Sequence, residues 1–584
     1  MPRFLCPLFH LFDSQKVVAK LVGLVVTCST AAALAISCPV AGPHTPSDAE
    51  AAFLKGDYDK ATTLYQAQLQ AQPNDNAAIG GLVEVLLRQQ KVADAIALVQ
   101  KGLAASPKAV VLMNANADVL YRHGTPWLAG TVAEDTFKEY PCNARNHLMR
   151  AKLFRLNSLY ASEQKELRLA HQLDPYDPAI RRAWIGTLST RQRIAELEAY
   201  LASPTGDDAE DIRHMQMYLE TLKKRLTEPH KACRLASPVE STKIPFALLM
   251  RDATHVRAFG LEVKLNDHKA RLEIDTGATG LLVSRSVAER AGLKPFVENE
   301  VGGIGAAGEK KAYSAYADKI QIGSLEFHDC MVEVLDSRNV MDESDGLIGM
   351  DVLSGFLVTL DYPQQQLELG PLPPRPTETG PQTPTLKTGE GTPEEEEGDS
   401  SPSANTSSQN GDKDAAAKAP APAPAPAAKG PYDRYIAPEM ASYNKVFRVG
   451  HQLMIPTALN QPSNPPKLFI LDTGSFSTTI SPEAAREVTK LRGDDRMTVH
   501  GISGKVEKVY SADNVTFYFA SLAQPGRDVV SFDISNISKG TGLEVSGLIG
   551  ATTLGQLTMH IDYRDGLVKF DYDPKRPYRR MLPN

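Results

Sequence analysis

The sequence predicts a multidomain chain: an all-α solenoid of repeated helices, followed by two all-β lobes separated by a disordered linker. Three observations predict it. Pro73, Pro107, Pro141 and Pro175 recur at an interval of 34 residues, two β-patterned segments of the C-terminal half repeat each other's motifs, and a Pro-, Ala- and Glu-rich stretch lies between those segments. At 584 residues the chain exceeds what a single hydrophobic core serves, so several domains are expected.

The N-terminal segment, residues 1–43, has the pattern of an export signal. Arg3, Lys16 and Lys20 precede the apolar run Leu21–Ser37, and Ala33-Leu34-Ala35 offers a cleavage site of the A-x-A kind. Ser37-Cys38 offers a lipoprotein-like alternative. A retained anchor is a third reading, because the run is marginally long enough to span a bilayer. The body is therefore expected outside the cytoplasm, periplasmic or secreted, with membrane attachment at the N-terminus only. A hydrophobic share of 42%, a charged share of 23% and a formal net charge of -7 suit soluble globular domains. No cluster of Lys and Arg marks a phosphate-binding face, so no nucleic-acid partner is expected.

Residues 44–230 carry the helical pattern. In the first unit Ala52-Phe53-Leu54-Lys55-Gly56-Asp57-Tyr58 leads to Ala61 and Tyr65 before Pro73. Small residues let paired helices approach, Gly permits the tight turn, and Pro stops the second helix. Period and positions together resemble the tetratricopeptide repeat, which implies about four units over residues 48–189 and a protein partner bound through them. Residues 190–228 read as one or two solvated helices. Because solenoid helices contact their neighbours, this domain is expected to fold without the rest.

Residues 371–431 lack the apolar surface that would offset ordering entropy, and the Ala-Pro tract favours extended geometry, so they read as a disordered spacer. Of the six cysteines, Cys142, Cys233 and Cys330 lie in the body without CxxC spacing. No structural zinc site is expected. A Cys142–Cys233 disulfide is permitted outside the cytoplasm, and three isolated thiols are the plainer reading.

The lobes, residues 240–370 and 432–578, contain the chemistry. One reads LEIDTGATGLLVSRSVAERAGL from Leu272 and the other FILDTGSFSTTISPEAAREV from Phe469. Each continues through a Gly-rich tip to an identical tetrapeptide, Gly346-Leu347-Ile348-Gly349 and Gly547-Leu548-Ile549-Gly550, and closes on a strand containing Asp-Tyr. Two carboxyls in one site cannot both ionise readily, so a pair of aspartates can hold one proton and act as base and acid together. Gly after Asp-Thr permits a tight turn whose backbone donates to the carboxylate, and Thr276 and Thr473 can bond across the two loops.

These motifs resemble the retropepsin-like aspartic peptidases over residues 245–370 and 440–576. The resemblance implies acid-protease barrel lobes, an endopeptidase activity on peptide or protein substrates, and catalysis by Asp275 and Asp472. It implies support of the loops by Thr276, Gly277, Thr473, Gly474 and Ser475. It also implies two flaps, at Gly303, Ile304, Gly305 and at Gly501, Ile502, Gly504. No metal motif, nucleophile elbow or phosphate loop is present in the sequence, so neither metal nor cofactor is expected. Ser475 stands where the first lobe has Ala278. A hydroxyl donating to the carboxylate would make Asp472 the readily ionised partner and Asp275 the proton carrier. Two competing readings remain: a peptide-holding scaffold with little turnover, and a homodimer pairing Asp275 with Asp275 of a second chain.

Overall fold

The computed structural model describes residues 38–236, 241–250, 256–338, 344–376, 432–494 and 496–575. The chain divides into Met1–Pro39 and a compact unit Val40–Asn584, and everything below belongs to the second. Most of the expected export segment, residues 1–37, and most of the expected linker, residues 377–431, lie outside the described residues.

Eleven α-helices open the unit: α1 Asp48–Leu54, α2 Tyr58–Ala71, α3 Asn76–Arg88, α4 Val92–Ala105, α5 Val110–Arg122, α6 Pro126–Glu139, α7 Ala144–Leu156, α8 Tyr160–Leu173, α9 Pro178–Ile185, α10 Thr190–Leu201 and α11 Ala209–Thr227. The first helices of successive pairs, α3, α5, α7 and α9, start 34 residues apart. Each periodic proline falls two residues past the end of α2, α4, α6 or α8, where it cannot extend the helix. Asp75, Asn143 and Asp177 cap the following helices by accepting from their free N–H groups, as such side chains do. The turns inside the pairs also repeat. Gly56, Gln90, Gly124 and Ser158 all have positive φ (74°, 61°, 75° and 56°), so the left-handed turn persists where glycine has been replaced.

Among the described residues the β half forms a nine-stranded sheet, an eight-stranded sheet, a six-stranded sheet shared between the lobes and a two-stranded ribbon. In the shared sheet the first-lobe strand Leu357–Asp361 pairs antiparallel with the second-lobe strand Thr558–Asp562. Val358, Leu360, Met559 and Ile561 are fully buried in one hydrophobic core that contains residues of both lobes. The lobes are joined by backbone hydrogen bonds and a common core, independently of the residues between them.

The helical region packs on both lobes, which corrects the expectation that its helices touch only one another. Leu156 of α7 belongs to a second-lobe cluster with Met454, Leu468, Ile470 and Leu548, against which Tyr121 and Trp127 also pack. The Glu544 N–H donates to the Arg122 carbonyl at 2.8 Å, and the Arg122 guanidinium donates to the Ser538 carbonyl at 2.8 Å. At the far end α11, expected to be solvated, lies against the first lobe. Lys224 Nζ donates to the Phe296 carbonyl at 2.6 Å, Arg213 pairs with Glu300 and Glu309 at 3.0 and 3.1 Å, and His230 stacks on Tyr316. Apolar packing at α7 and polar contacts at α11 make the solenoid a structural part of the β half.

Two further expectations change. Cys233 is bonded to Cys330, not to Cys142, which is itself in a disulfide. Their short Cα separation of 4.5 Å arises because Arg234–Leu235 pairs with Phe327–His328 at the sheet edge, a placement no cysteine spacing encodes. The spacer does not begin at residue 371. Arg375 is buried and donates to Asp565 Oδ1 at 2.7 Å, while Arg564 donates to the Pro373 carbonyl.

Candidate active site

The two Asp-Thr-Gly loops meet because each is delivered by a buried strand. His268–Asp275 runs parallel to Gly346–Gly349, and Lys467–Leu471 runs parallel to Gly547–Ile549. Leu281–Ser284 and Thr479–Ile480 pair antiparallel on the other side of those short strands. The tetrapeptides begin with glycine for a steric reason. A Cβ at Gly346 would lie 2.0 Å from the Leu282 carbonyl oxygen, and one at Gly547 would lie 2.2 Å from that of Thr479. The strand threads a gap that only hydrogen-sized side chains fit.

Across the junction the threonines interlock reciprocally. Thr276 Oγ1 donates to the Leu471 carbonyl at 2.7 Å and accepts from the Thr473 N–H at 3.0 Å. Thr473 Oγ1 donates to the Ile274 carbonyl and accepts from the Thr276 N–H, both at 3.0 Å. Four buried bonds tie one loop to the other. Asp275 therefore faces Asp472 of the same chain. A Cβ at Gly474 would stand 2.3 Å from Asp275 Cγ, and one at Gly277 would stand 2.9 Å from Asp472 Oδ1. These glycines leave the room in which the carboxyls approach.

Each carboxylate is held by its own loop. Asp275 Oδ1 accepts from the Gly277 and Ala278 N–H groups at 2.8 and 3.1 Å, and Asp472 Oδ1 accepts from those of Gly474 and Ser475 at 3.0 Å each. Burial pushes both aspartates up from the ordinary carboxylate range. For Asp275 the loop N–H groups, a hydrogen bond from Asp472 and the nearby His451 oppose that rise. For Asp472 the charge of Asp275 adds to burial, and its pKa is raised well above the usual value. Burial and mutual repulsion keep the two carboxyls from ionising together, so the pair holds one proton between them. The Ser475 hydroxyl, expected to donate to the Asp472 carboxylate, turns away and donates to the Ser477 carbonyl at 3.1 Å. Only its backbone N–H serves Asp472.

The Gly-rich tips meet. The first-lobe hairpin, Pro295–Val301 paired with Lys310–Ile322, carries Gly303, Ile304 and Gly305. The second-lobe tip pairs His500–Gly501 with Gly504–Lys505 and carries Ile502 at its turn. The Ser503 N–H donates to the Ile304 carbonyl at 3.0 Å, the Ala307 N–H donates to the Ser503 carbonyl at 2.8 Å, and the Gly303 N–H donates to Ser503 Oγ at 3.1 Å. Gly305 and Gly504 have φ of 131° and 87°, which favour glycine. Ser503 carries the contact through its N–H, its carbonyl and its hydroxyl.

Other side chains near the dyad gave no sequence signal. Arg257 pairs with buried Glu273 at 2.8 Å, and burial pushes Glu273 up to about 7 against the pull of Arg257. Their side chains line a small cavity with Phe259, Tyr362, Gly474 and Phe476. His451 Nε2 lies 2.8 Å from the Gly277 carbonyl oxygen. Among the described residues one group has metal-ligand types, Glu210, His214 and Glu309, with ligand atoms within 4.8 Å of one another. Lys539 and Arg213 already supply positive charge there, at 2.5 Å from Glu210 and 3.1 Å from Glu309.

Residues 261–352 match the aspartyl protease family model, and residues 52–113 match the tetratricopeptide repeat model. The DNA damage-inducible protein 1 of Neurospora crassa is 30% identical over 109 residues, 18% of this chain and 24% of that protein. The chain thus spans about a quarter of the length of that curated relative. A retropepsin-like aspartic protease from Rickettsia conorii is 21% identical over 23% of this chain and 94% of that one, with a TM-score of 0.17. A thermophilic tetratricopeptide-repeat protein of Thermus thermophilus is 20% identical over 29% of this chain and 92% of that one, with a TM-score of 0.24. The second lobe lies outside the aspartyl protease match, and its assignment rests on the repeated strand order, tetrapeptide and threonine pairing. An aspartyl protease family match and a tetratricopeptide repeat match therefore fall in this one chain.

Proposed function

We propose that this protein is an endopeptidase in which Asp275 and Asp472 hold a water molecule between them, and that its repeats bind a protein partner. The observation that carries the reading is the reciprocal Thr276–Thr473 bonding, which brings two buried carboxyls into one hydrogen-bonded pair. Asp275 takes a proton from the water as its oxygen attacks the peptide carbonyl carbon, while protonated Asp472 donates to the carbonyl oxygen. Collapse of the tetrahedral intermediate breaks the C–N bond as Asp275 gives the proton it took to the departing amine and Asp472 recovers one from the gem-diol, which restores the pair. The flap tips would lie over the bound peptide and donate backbone N–H groups to it. Action outside the cytoplasm is supported by the N-terminal sequence pattern and by the Cys233–Cys330 disulfide, which persists in oxidising compartments.

The test is digestion of a peptide library by the full chain. Wild type should give pepstatin-sensitive cleavage, and Asp275→Asn and Asp472→Asn should each remove it, because Asn neither carries the base charge nor supplies the shared proton. Mixing the two variants should restore nothing when the dyad is intramolecular. Substantial cleavage by either variant would overturn the mechanism. The scaffold reading has one observation in its favour: the tips are hydrogen-bonded to each other and Glu300 and Glu309 of the first hairpin are paired with α11. Peptide binding with no cleavage by wild type would select it.

A further inference from the structure

His451 sits in the turn between the second-lobe strands Phe447–Val449 and Gln452–Leu459, and it reaches across to the loop of the first lobe. Its Nε2 lies 2.8 Å from the Gly277 carbonyl oxygen. A carbonyl can only accept, so Nε2 carries the hydrogen in either charge state of the ring. The peptide unit that contains this carbonyl also contains the Ala278 N–H, which donates to Asp275 Oδ1 at 3.1 Å. One peptide group is therefore gripped at both ends, by His451 on its oxygen and by the Asp275 carboxylate on its hydrogen. Bonds in such a chain polarise one another, and a donor on the carbonyl strengthens the N–H as a donor.

The turn that presents His451 is itself anchored. Buried Arg448 donates to the Gly450 carbonyl at 3.0 Å and to the Tyr563 carbonyl, and Gly450 takes a φ of 57° to make the turn. No motif surrounds His451 in the sequence. Its partner lies 174 positions away.

We propose that His451 is a positioning residue of the dyad: it polarises the Gly277–Ala278 peptide, strengthens the bond that peptide donates to Asp275, and so makes Asp275 the base and Asp472 the acid. The direction agrees with the effect of His451 on Asp275, which opposes the rise caused by burial. Among the described residues Asp472, Glu273 and Tyr563 also interact with Asp275, and Arg257 pairs with Glu273. Glu273, Asp472 and Tyr563 are buried, and none of them bonds to the Gly277 carbonyl.

The consequence for rate rests on the peptidase reading, whereas the consequence for ionisation does not. The test therefore has two readouts on the full chain. One is the carboxyl titration of the dyad by carbon NMR with labelled aspartate, with Asp275→Asn and Asp472→Asn identifying the signals. The other is the pH profile of kcat and KM on a cleaved peptide. His451→Ala should move the lower ionisation step of the pair and the acidic limb of kcat to higher pH. At a fixed pH on that limb kcat should fall about three- to tenfold with KM unchanged. His451→Gln retains an N–H donor without a charge and should recover at least half of the shift. An unmoved titration in His451→Ala would overturn the proposal even if wild type cleaves peptides. A Gln variant that behaves like Ala would overturn the hydrogen-bond relay. A wild type without cleavage would count against the peptidase reading alone, since the titration still decides the role of His451.

Discussion

Thr276→Val replaces a hydroxyl by a methyl of nearly the same shape, so its cost is electrostatic. The wild-type Oγ1 donates to the Leu471 carbonyl and accepts from the Thr473 N–H, and Thr276 is 1% exposed. Valine leaves one buried carbonyl and one buried N–H without partners. Each such group costs ~1–3 kcal/mol, so a total of about 3 kcal/mol is expected once the loops relax. Thr276→Ser keeps both bonds and loses one methyl, about 1 kcal/mol. Both tryptophans, Trp127 and Trp184, lie in the helical region, so bulk fluorescence would report the wrong part of the molecule. Amide hydrogen exchange of peptides covering residues 271–280 and 469–478 reads the loops directly. Exchange in Thr276→Val should quicken on the order of a hundredfold where it proceeds by local opening, in both peptides, although only one carries the change. Equal exchange in the valine and serine variants, or acceleration confined to residues 271–280, would refute the claim that this hydroxyl holds the opposite loop.

Two further perturbations follow from the geometry. Glu273 binds its proton more tightly in the folded chain, with a pKa near 7, so its contribution to stability is complete below the ordinary carboxylate value and is lost as pH rises through about 7. Stability against pH should therefore slope downward between about 4.5 and 7, by at most ~1.4 kcal/mol per unit from this group, and Glu273→Gln should remove that component while leaving any due to Asp562, which is raised to about 6. A denaturation series in which the two proteins keep the same slope would contradict the assignment. Gly501→Ala would place a Cβ 2.3 Å from the Ile304 carbonyl oxygen, so the tips should separate and amide exchange of residues 302–308 should rise, whereas Gly493→Ala, with open space and ordinary φ, should leave it unchanged.

Much of the architecture was legible because it is written as local chemistry. A proline two residues past each second helix and polar caps at Asp75, Asn143 and Asp177 act within a turn of where they stand, so a 34-residue period is readable directly. The Asp-Thr-Gly loops and the Gly-Leu-Ile-Gly strands were equally plain, since a Cβ at the first glycine of either strand would fall 2.0–2.2 Å from a neighbouring carbonyl oxygen, and duplication of the whole pattern revealed two lobes. What the tertiary structure decided are contacts between residues remote in sequence. The Cys233–Cys330 bond depends on an edge-strand pairing, and the docking of α7 and α11 on the lobes depends on surfaces that carry no periodic mark. Residue type alone cannot show that the Ser475 hydroxyl turns toward the Ser477 carbonyl and not toward Asp472. Likewise His451 became visible only where a turn from one lobe meets a loop from the other: a hydrogen bond has a direction and a reach of about 3 Å, and the fold alone sets both.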